Sequence, residues 1–489
     1  MNLRVIMKFQ FFIIVLTVLL QLSPVEGAEY LQMPGVIHIH STYSSGKYSL
    51  PELVKMAESS GIEVLVITDH DWVAMEYGLP PFRRVFKIRK ERPSVIKTGV
   101  DHYLNQINGL NDTQQNVIVI PGVQSSPFYY WTGNPISDNL TANDFRRELI
   151  AVGMTDADDY NHLPVLHRMC FVSNGKNIFL CLAAVFGLGW GVWRNRPGKK
   201  DKLGWIVMGT AALVLVNFHP FYSSIYDPYH GPQNEVPFQN LIDYVRARGG
   251  MTFWSHPESR YSTVSKPLGP IQMKTEPYPE MLSQTRGYSG FAAIYGDTAM
   301  AQKPGMQWDE VLYEYSVGLR EKPVWAIAEA DYHGTRKNER LDQYQTVFIV
   351  KKKTRQAVLD AMAKGRMYAV LKQGEARPVL DDFKATDFIN GKCAFSGQEI
   401  SCDSQPEILV HLTVSDGSIC DAELLIIKNG KVIKNIKGRT PLQVHFRDME
   451  DTPGKSFYRL EARIKNEGKI ISNPIFVDRP QNSVRSKGI

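Results

Sequence analysis

Short apolar runs alternate with amphipathic stretches over the first three quarters of the chain. Runs of β-branched and aromatic residues bounded by turn residues predict strands at 35–41, 63–70, 116–124, 250–257, 290–297 and 324–333. Apolar residues spaced three or four positions apart predict helices at 50–61, 238–250, 308–319 and 354–366. Because such alternation is typical of parallel β-α-β units and no dinucleotide-binding glycine motif accompanies it, we expect a barrel.

The pattern changes near Leu380. Short alternating strands such as EILVHLTVSD follow one another, with turn signals at Asn429-Gly430 and Glu467-Gly468. This pattern predicts a C-terminal antiparallel β-sandwich over 379–479, followed by a tail over 480–489. The sandwich has either a purely structural role or the additional role of binding a protein partner.

Three apolar segments do not fit either pattern. Residues 1–27 have basic positions, an apolar run and a small-residue end, which predicts a cleaved signal peptide; an uncleaved membrane anchor is the alternative. Residues 176–222 contain two apolar runs separated by the basic stretch RNRPGKKDK and bordered by tryptophans. We expect a transmembrane hairpin with a cytoplasmic loop, dividing the barrel into residues 28–175 and 223–378. A buried helical pair within a soluble domain is the alternative.

Charge supports this topology. The chain has a formal net charge of +6, and much of the excess lies in the hairpin loop and the leader, so the remainder is nearly neutral. The near-neutral charge of the remaining residues argues against nucleic acid as a partner. The lipid bilayer is the partner that the apolar segments predict. The barrel is then expected outside the cytoplasmic membrane, in the periplasm, where Cys393 and Cys402 would suit a local disulfide.

Histidine and aspartate residues follow four of the predicted strands. Because the carboxyl ends of parallel strands meet at one face of a barrel, we expect these residues to converge. They are His38 and His40, Asp69 to Asp71, His256, and Asp331 with His333. An isolated pair such as His38 and His40 is more often structural, but four strand ends together predict a metal site. Imidazole and carboxylate ligands without thiolate suit Zn, Mn or Fe, in greater number than one tetrahedral ion requires.

The segment HIHSTYSSGKYSLPELVKMAESSGIEVLVITDHD, followed by VIPGVQ, SHP and ADYH, resembles the PHP (polymerase and histidinol phosphatase) superfamily of metal-dependent phosphoesterases. The resemblance extends from residue 35 to about 378 and implies a distorted (β/α)7 barrel holding up to three divalent metal ions. It implies that His38, His40 and Asp331 bind one metal, His70 and His333 another, and His256 a further one. Asp69 resembles an orienting or proton-handling residue.

Two positions depart from the superfamily pattern. Ser44-Ser45-Gly46 replaces an acidic or imidazole ligand, and Gln124 in PGVQ stands where relatives have a metal-bridging Glu. Gln124 can still offer a neutral amide oxygen. Glu329 shares a strand face with Asp331 and either restores a carboxylate or pairs with a basic neighbour.

The sequence therefore predicts metal-dependent hydrolysis of phosphate esters by a membrane-tethered, exported protein. The substrate would be a phosphorylated small molecule or a membrane-borne one, with Arg260 either steadying the phosphate or remaining a solvated loop residue. The alternative is a degenerate PHP domain that binds metal or a phosphorylated ligand without turnover, as a sensor or scaffold.

Overall fold

The computed structural model describes residues 30–113, 116–137, 139–170, 175–199, 201–219, 223–265, 271–450 and 452–479. The predicted signal peptide and the tail lie outside these residues. The part before the helical hairpin forms β1 (Leu31–Ile39), α1 (Leu50–Ser59), β2 (Val64–Ile67), β3 (Ala74–Gly78), β4 (Lys87–Glu91), α2 (Val95–Thr98), α3 (Val100–Thr113), β5 (Ile118–Ser125), β6 (Tyr130–Thr132), a 3-10 turn (Pro135–Ser137), β7 (Thr141–Asn143), β8 (Leu149–Val152), α4 (Ala157–Asn161) and β9 (Met169–Cys170).

The middle of the chain contains the hairpin helices and the rest of the barrel. In order, it forms α5 (Gly175–Arg194), α6 (Lys202–Phe218), β10 (Ser223–Ser224), α7 (Val236–Ala247), β11 (Met251–Trp254), β12 (Tyr261–Ser265), β13 (Ile271–Thr275), α8 (Met281–Gln284), β14 (Gly290–Ile294), α9 (Gln307–Ser316), β15 (Trp325–Ala328), β16 (Tyr344–Val350), α10 (Arg355–Ala363) and β17 (Met367–Lys372).

The C-terminal region is built of strands alone among its described residues. They are β18 (Pro378–Asp387), β19 (Cys393–Phe395), β20 (Glu399–Ser401), β21 (Pro406–Val414), β22 (Asp421–Lys428), β23 (Lys431–Arg439), β24 (Leu442–Arg447), β25 (Gly454–Ile464), β26 (Gly468–Ser472) and β27 (Ile475–Arg479).

Seven strands form the barrel, in the order β15-β14-β11-β8-β5-β2-β1. The segment after β15 closes it, because Ala330 N donates to Ile37 O and Tyr332 N donates to His38 O, at 2.9 and 3.0 Å. Six predicted strands are present. The seventh, β8, was not predicted, and it runs antiparallel to both β5 and β11. The start of β8 therefore lies at the same face as the ends of its neighbours.

Local sequence explains the first barrel helix. Leu50, Leu53, Val54 and Ala57 are buried at helical spacing, so α1 packs one apolar face on the barrel. The Glu52 carboxylate accepts hydrogen bonds from the Ser49 amide (2.8 Å) and hydroxyl (2.6 Å) and so caps the helix start. This fixes where the chain turns after the histidine-containing strand.

A small four-stranded sheet, β12-β13-β7-β6, and the β3-β4 ribbon are built by segments inserted between barrel elements. Neither was predicted. Their buried side chains, including Met75, Tyr129, Leu166 and Met273, form an apolar cluster separate from the barrel core. The sequence pattern misses them because the strands are short and belong to segments distant along the chain.

Helices α5 and α6 pack on each other as the expected hairpin. Their buried residues are few and small or polar: Ala184 and Gly191 in α5, and Gly204, Ala211 and Asn217 in α6. Large apolar side chains remain exposed, including Phe186 at 83%. The two helices are therefore largely exposed in the structure, unlike the buried pair that was the alternative. Only α5 among the described helices is long and apolar enough to cross a membrane, by length and composition, so a hairpin of two membrane spans is not supported.

The C-terminal strands form two mainly antiparallel sheets facing each other, with one parallel pair, β20 and β27. One contains β19-β18-β21-β24, and the other continues the barrel sheet through β16-β17-β26-β25-β22-β23. Val347, Tyr368 and Val370 belong to strands before residue 378 but lie in the sandwich core. The boundary predicted at 378/379 therefore separates segments of sequence, while one sheet runs through both regions.

The expected Cys393–Cys402 disulfide is not formed. Both thiols are free, with Cys393 exposed and Cys402 buried in the sandwich core. Cys393 lies on β19 and Cys402 lies just after β20, and the two side chains have different environments.

Candidate metal centre

A bulge in β1 shapes the centre of the site. The pairing with β2 shifts register between Ile37 and Ile39, and His38 has a φ of +72°. The two histidines therefore do not come together through regular strand alternation. The bulge brings His38 Nε2 within 3.1 Å of His40 Nε2. Positive φ values recur at His256 (+24°) and Asp331 (+44°), and unfavourable backbone of this kind clusters at functional sites.

Backbone hydrogen bonds bring the last predicted strand end to the first. His40 N donates to Tyr332 O at 2.9 Å, so residues 329–333 lie alongside β1. Glu329 and Asp331 consequently meet the histidine pair, with the Glu329 carboxylate 2.6 Å from His38 Nδ1 and the Asp331 carboxylate 3.7 Å from both Nε2 atoms.

Two groups of side chains have ligand atoms that all lie within 4.8 Å of one another. The first comprises His38, His40 and Asp331, and the second comprises His38, His256 and Glu329. Glu329 is fully buried and contacts both His38 and His256, the latter at 2.7 Å. Of the two predicted roles for Glu329, the structure places its carboxylate in the site among histidines.

Protonation reflects these contacts. Burial and the neighbouring imidazoles hold the pKa of His40 well below its usual value, which keeps the ring neutral as a metal ligand requires. Burial opposes ionisation of Glu329, but His256 and His38 outweigh it and lower its pKa to about 2. For His256, burial is outweighed by Glu329 and Glu148, and the pKa is raised well above 6.5. The cluster thus exchanges protons for any cation that enters.

Glu148 belongs to the cluster and was missed from the sequence. It precedes the antiparallel β8, is 3% exposed, and its carboxylate lies 3.1 Å from His256 Nε2 and 2.6 Å from Gln124 Nε2. Recognising Leu149–Val152 as an antiparallel strand would have found it, since the first residue before such a strand lies at the face where parallel strands end.

Gln124 supplies the clearest sign of an additional ligand. Its amide nitrogen donates to Glu148, but its Oε1 atom is buried and has no hydrogen-bond partner among the described residues. A buried acceptor without a partner is costly unless something binds it. A divalent cation fits this oxygen, and it fits the surrounding imidazole and carboxylate donors.

Asp69 lies behind the metal ligands. Its carboxylate accepts hydrogen bonds from the Ser41 amide (2.7 Å), the Ser41 hydroxyl (2.6 Å) and the Ser44 hydroxyl (2.5 Å). Ser44 Oγ in turn lies 3.1 Å from His40 Nδ1. Asp69 is therefore linked to His40 through the Ser44 hydroxyl, and an orienting role for Asp69 stays a prediction.

The other predicted residues lie nearby with one exception. The ring centroids of His70 and His333 lie 4.6 and 4.2 Å from the ring centroid of His40, and Ser45 Oγ lies 3.1 Å from His333 Nδ1. Burial lowers the pKa of His70 to about 4. Arg260 is 71% exposed and pairs with Glu276 at 3.1 Å, so its guanidinium is already engaged at the rim.

Comparison with known proteins agrees with this geometry. A family model described as "PHP domain" matches residues 37–264. This stretch resembles the PHP domain. It is a little under half of the chain and contains His38, His40, His70, Gln124 and His256, whereas Asp331 and His333 lie beyond it. No curated protein matches the chain in sequence.

Two solved structures resemble the chain distantly. One is a two-domain protein from Bacteroides vulgatus ATCC 8482 that contains a predicted PHP-like metal-dependent phosphoesterase; identity is 11%, coverage is 91% of this chain and 95% of that one, and the TM-score is 0.36. The other, from Bifidobacterium adolescentis ATCC 15703, is a candidate metal-dependent phosphoesterase; identity is 13%, coverage is 62% and 89%, and the TM-score is 0.26.

Proposed function

We propose that this protein is a metal-dependent phosphoesterase. The observation that carries the proposal is the convergence of His38, His40, His256, Glu329 and Asp331, in two groups able to hold metal, within a chain whose residues 37–264 match the PHP domain. Bound divalent metal ions would supply an activated water and would withdraw charge from the phosphoryl oxygens. Hydrolysis would join the water oxygen to phosphorus, break the ester P–O bond and release the alcohol with a proton.

The protein's own residues have distinct roles in this proposal. His38, His40 and Asp331 would hold one ion, and His256 and Glu329 would contribute to a second; His38 belongs to both groups but as a neutral imidazole would ligate one ion at a time. His70 and His333 extend the donor set toward the adjoining cavity. We propose two or three ions of Zn, Mn or Fe, because the donors exceed what one tetrahedral ion uses.

Arg146 is the best-placed residue for the substrate phosphate. It lies between the two cavities that meet at the metal-ligand cluster and lines both. Burial opposes its charge, but Glu148 outweighs burial and raises the pKa of the guanidinium, so it stays cationic. Arg260 has a weaker claim since it is exposed and paired with Glu276.

We also propose that the hairpin inserts in a membrane with its loop on the cytoplasmic side and the barrel outside. The exposed apolar faces of α5 and α6 support this, since soluble surfaces rarely leave so much contiguous apolar area in water. Cysteine labelling tests it in a variant whose native cysteines are replaced by serine, because Cys393 is itself exposed: a cysteine introduced at Gly198 should be shielded from an impermeant reagent in intact cells, and one introduced at Ser418 should react. The reverse pattern would refute this orientation.

A second candidate function follows from Gln124 and Ser45. Both positions lack the charge that relatives place there, so the domain would bind metal or a phosphorylated ligand without turnover. Glu148 and Glu329 favour the enzyme, since two buried carboxylates join the cluster from positions outside the recognised motifs.

Metal stoichiometry and phosphate release distinguish the two. Full-length protein, purified without chelator, should contain two or three ions per chain and release phosphate from at least some members of a broad ester panel. An Asp331→Asn variant should lose both properties. Bound metal without release from any ester would favour the binding function instead.

A further inference from the structure

A cavity of about 300 Å³ lies beside the metal-ligand cluster. At one end its wall contains His70, Glu148 and His333, which belong to the site. Elsewhere the wall is largely apolar and aromatic, with Val73, Ala74, Met75, Tyr129, Phe145, Leu166 and Met273. A molecule filling the cavity would therefore meet the polar groups of the site and, on other parts of the wall, a mainly apolar and aromatic surface.

The charged groups that line the cavity are few: beside Glu148 and Arg146 there is Asp71, which follows His70, accepts from the Ser125 hydroxyl at 2.6 Å and has its pKa raised by burial to about 7. Lys90 and Arg92 also line it but are exposed, so they lie at the rim. His167, in the apolar part, lies 2.9 Å from the Tyr129 hydroxyl, and burial lowers its pKa to about 4. Around Val73, Met75, Leu166 and Met273 the described lining residues offer no cationic side chain for a second phosphate, since His167 stays neutral and Lys90 and Arg92 are exposed.

Arg146 marks where an anionic group would sit. Its guanidinium carbon lies over the Tyr261 ring, 4.5 Å from the ring centroid, and Arg146 forms no ion pair with a carboxylate among the described residues. It lines both the 300 Å³ cavity and a smaller one of about 190 Å³ that contains His256 and Asp331. A phosphate between Arg146 and the metal ligands would leave the rest of its ester in the apolar part.

The cavity wall is connected to the helical hairpin. Met75 lies on β3, and the turn after β3 reaches the end of α6, where Arg84 N donates to Asn217 Oδ1 at 2.9 Å and Arg84 Nη1 donates to His219 O at 3.3 Å. Leu166 lies nine residues before Gly175, where α5 begins. Two segments of the wall therefore adjoin the proposed membrane segment.

We propose that the site binds a phosphomonoester of a bulky apolar alcohol. The phosphate lies between Arg146 and the metal ligands, and the alcohol chain lies against Met75, Leu166 and Met273. This inference rests on the proposed phosphoesterase function and adds the substrate class. A soluble alkyl or aryl phosphate and a membrane lipid phosphate share this chemistry, and the connection to the hairpin favours the lipid.

Binding of non-hydrolysable phosphonates tests the substrate class. Full-length protein in nanodiscs with Mn²⁺ is titrated calorimetrically with hexylphosphonate and methylphosphonate, and empty nanodiscs correct for partitioning. We expect hexylphosphonate to bind roughly 200- to 1,000-fold more tightly when its five additional methylenes are fully buried, since each buried methylene contributes about threefold to fourfold. Met273→Trp should remove most of this preference while keeping methylphosphonate affinity. Equal affinity for the two phosphonates in the wild-type protein would overturn the inference.

Matched variants guard against misfolding. Met449→Trp makes the same change at a 71% exposed position in the sandwich and should leave the preference intact. Ala74→Phe fills the cavity from β3 and should act like Met273→Trp if that variant fails to fold. Loss of preference in Met449→Trp, or its retention in both filled-cavity variants, would contradict the proposal.

Hydrolysis assays separate this inference from the proposed function and identify the source of the substrate. Release of phosphate from phosphatidic acid in the nanodisc supports a lipid source, and release only from added hexyl phosphate supports a soluble one. Release confined to glycerol 3-phosphate overturns the apolar class but keeps the phosphoesterase. No release from any ester, with tight hexylphosphonate binding, supports the cavity and refutes the phosphoesterase.

Discussion

Two buried charged clusters in this protein have opposite designs. Arg459, fully buried in β25, donates to both Asp309 oxygens at 2.7 and 2.8 Å and to Gln302 O at 2.8 Å, and its guanidinium lies 4.7 Å from the centre of the Trp308 ring. At the barrel mouth, imidazoles and carboxylates crowd together and Gln124 Oε1 has no partner. In the first cluster the Arg459 and Asp309 side chains satisfy each other and join α9 to the sandwich, although Gln302 Oε1 has no partner among the described residues. In the second cluster the oxygen without a partner lies among imidazoles and carboxylates.

This difference shows how buried charge can be sorted into structural and functional groups. A buried ion pair with every donor used is costly to break and has nothing left for a ligand. A cluster with unused lone pairs, positive φ values and shifted pKa values is instead suited to binding a cation. The following predictions test whether the metal-ligand cluster controls metal binding while the Arg459 cluster controls folding stability.

Removing His38 should have the largest effect on metal. It belongs to both metal-binding groups, and His38→Asn retains a residue that tolerates its positive φ. Groups that merely orient metal ligands change affinity by about 10- to 100-fold, so loss of a shared ligand should exceed this range. Metal content by mass spectrometry and phosphate release check it. His411→Asn in the sandwich is the control and should keep both.

Arg459→Met should mainly affect stability. It leaves Asp309 buried without its partner, which is expected to lower the free energy of unfolding by about 3–5 kcal/mol. Metal content per folded molecule should not change. Urea denaturation of the detergent-solubilised protein checks the first point.

The exposed pair of Arg447 and Glu407 provides a matched control, since Arg447→Met should have little effect there. Adding Asp309→Leu to Arg459→Met should recover part of the stability. If Arg459→Met instead released metal, the two clusters would not be independent.

Gln124→Glu should make the stability of the barrel depend on metal. The new carboxylate would face Glu148 where an amide donor now lies 2.6 Å away, so the two negative charges would repel without a cation between them. We expect a lower melting temperature than wild type in chelator and a larger rise on adding Mn²⁺. Gln302→Glu is the control. An unchanged metal response in Gln124→Glu would remove this position from the site.

Metal affinity should rise with pH, and this effect should be smaller than those of the substitutions above. In the metal-free protein the pKa of His256 is raised well above 6.5, chiefly by Glu329 against the opposing effect of burial. Its protonation stabilises the folded state below the unfolded pKa, and this contribution is lost as pH rises through the folded pKa. A cation must displace this proton, so affinity should increase about tenfold per pH unit below the folded pKa. Calorimetry at pH 6 and 7, in buffers of different ionisation enthalpy, measures the affinity and the released proton; no proton release would contradict the mechanism.

Much of the barrel follows from sequence alone. Apolar runs ending in His or Asp, such as EVLVITDH, specify buried parallel strands and place His70 at their carboxyl ends, because local propensity and barrel geometry agree there. Six of the seven barrel strands and the helix predicted at 50–61 belong to this category. The antiparallel sandwich pattern after Leu380 does as well.

Tertiary structure alone decided the remainder. Four features depend on contacts between distant segments. They are the antiparallel direction of β8, which places Glu148, the bulge at His38, the position of Arg146 between two cavities, and the free thiols of Cys393 and Cys402. Sequence periodicity reports which face of an element is apolar. It does not report which way a neighbouring strand runs or which buried oxygen lacks a partner, because those depend on contacts between residues far apart in the chain.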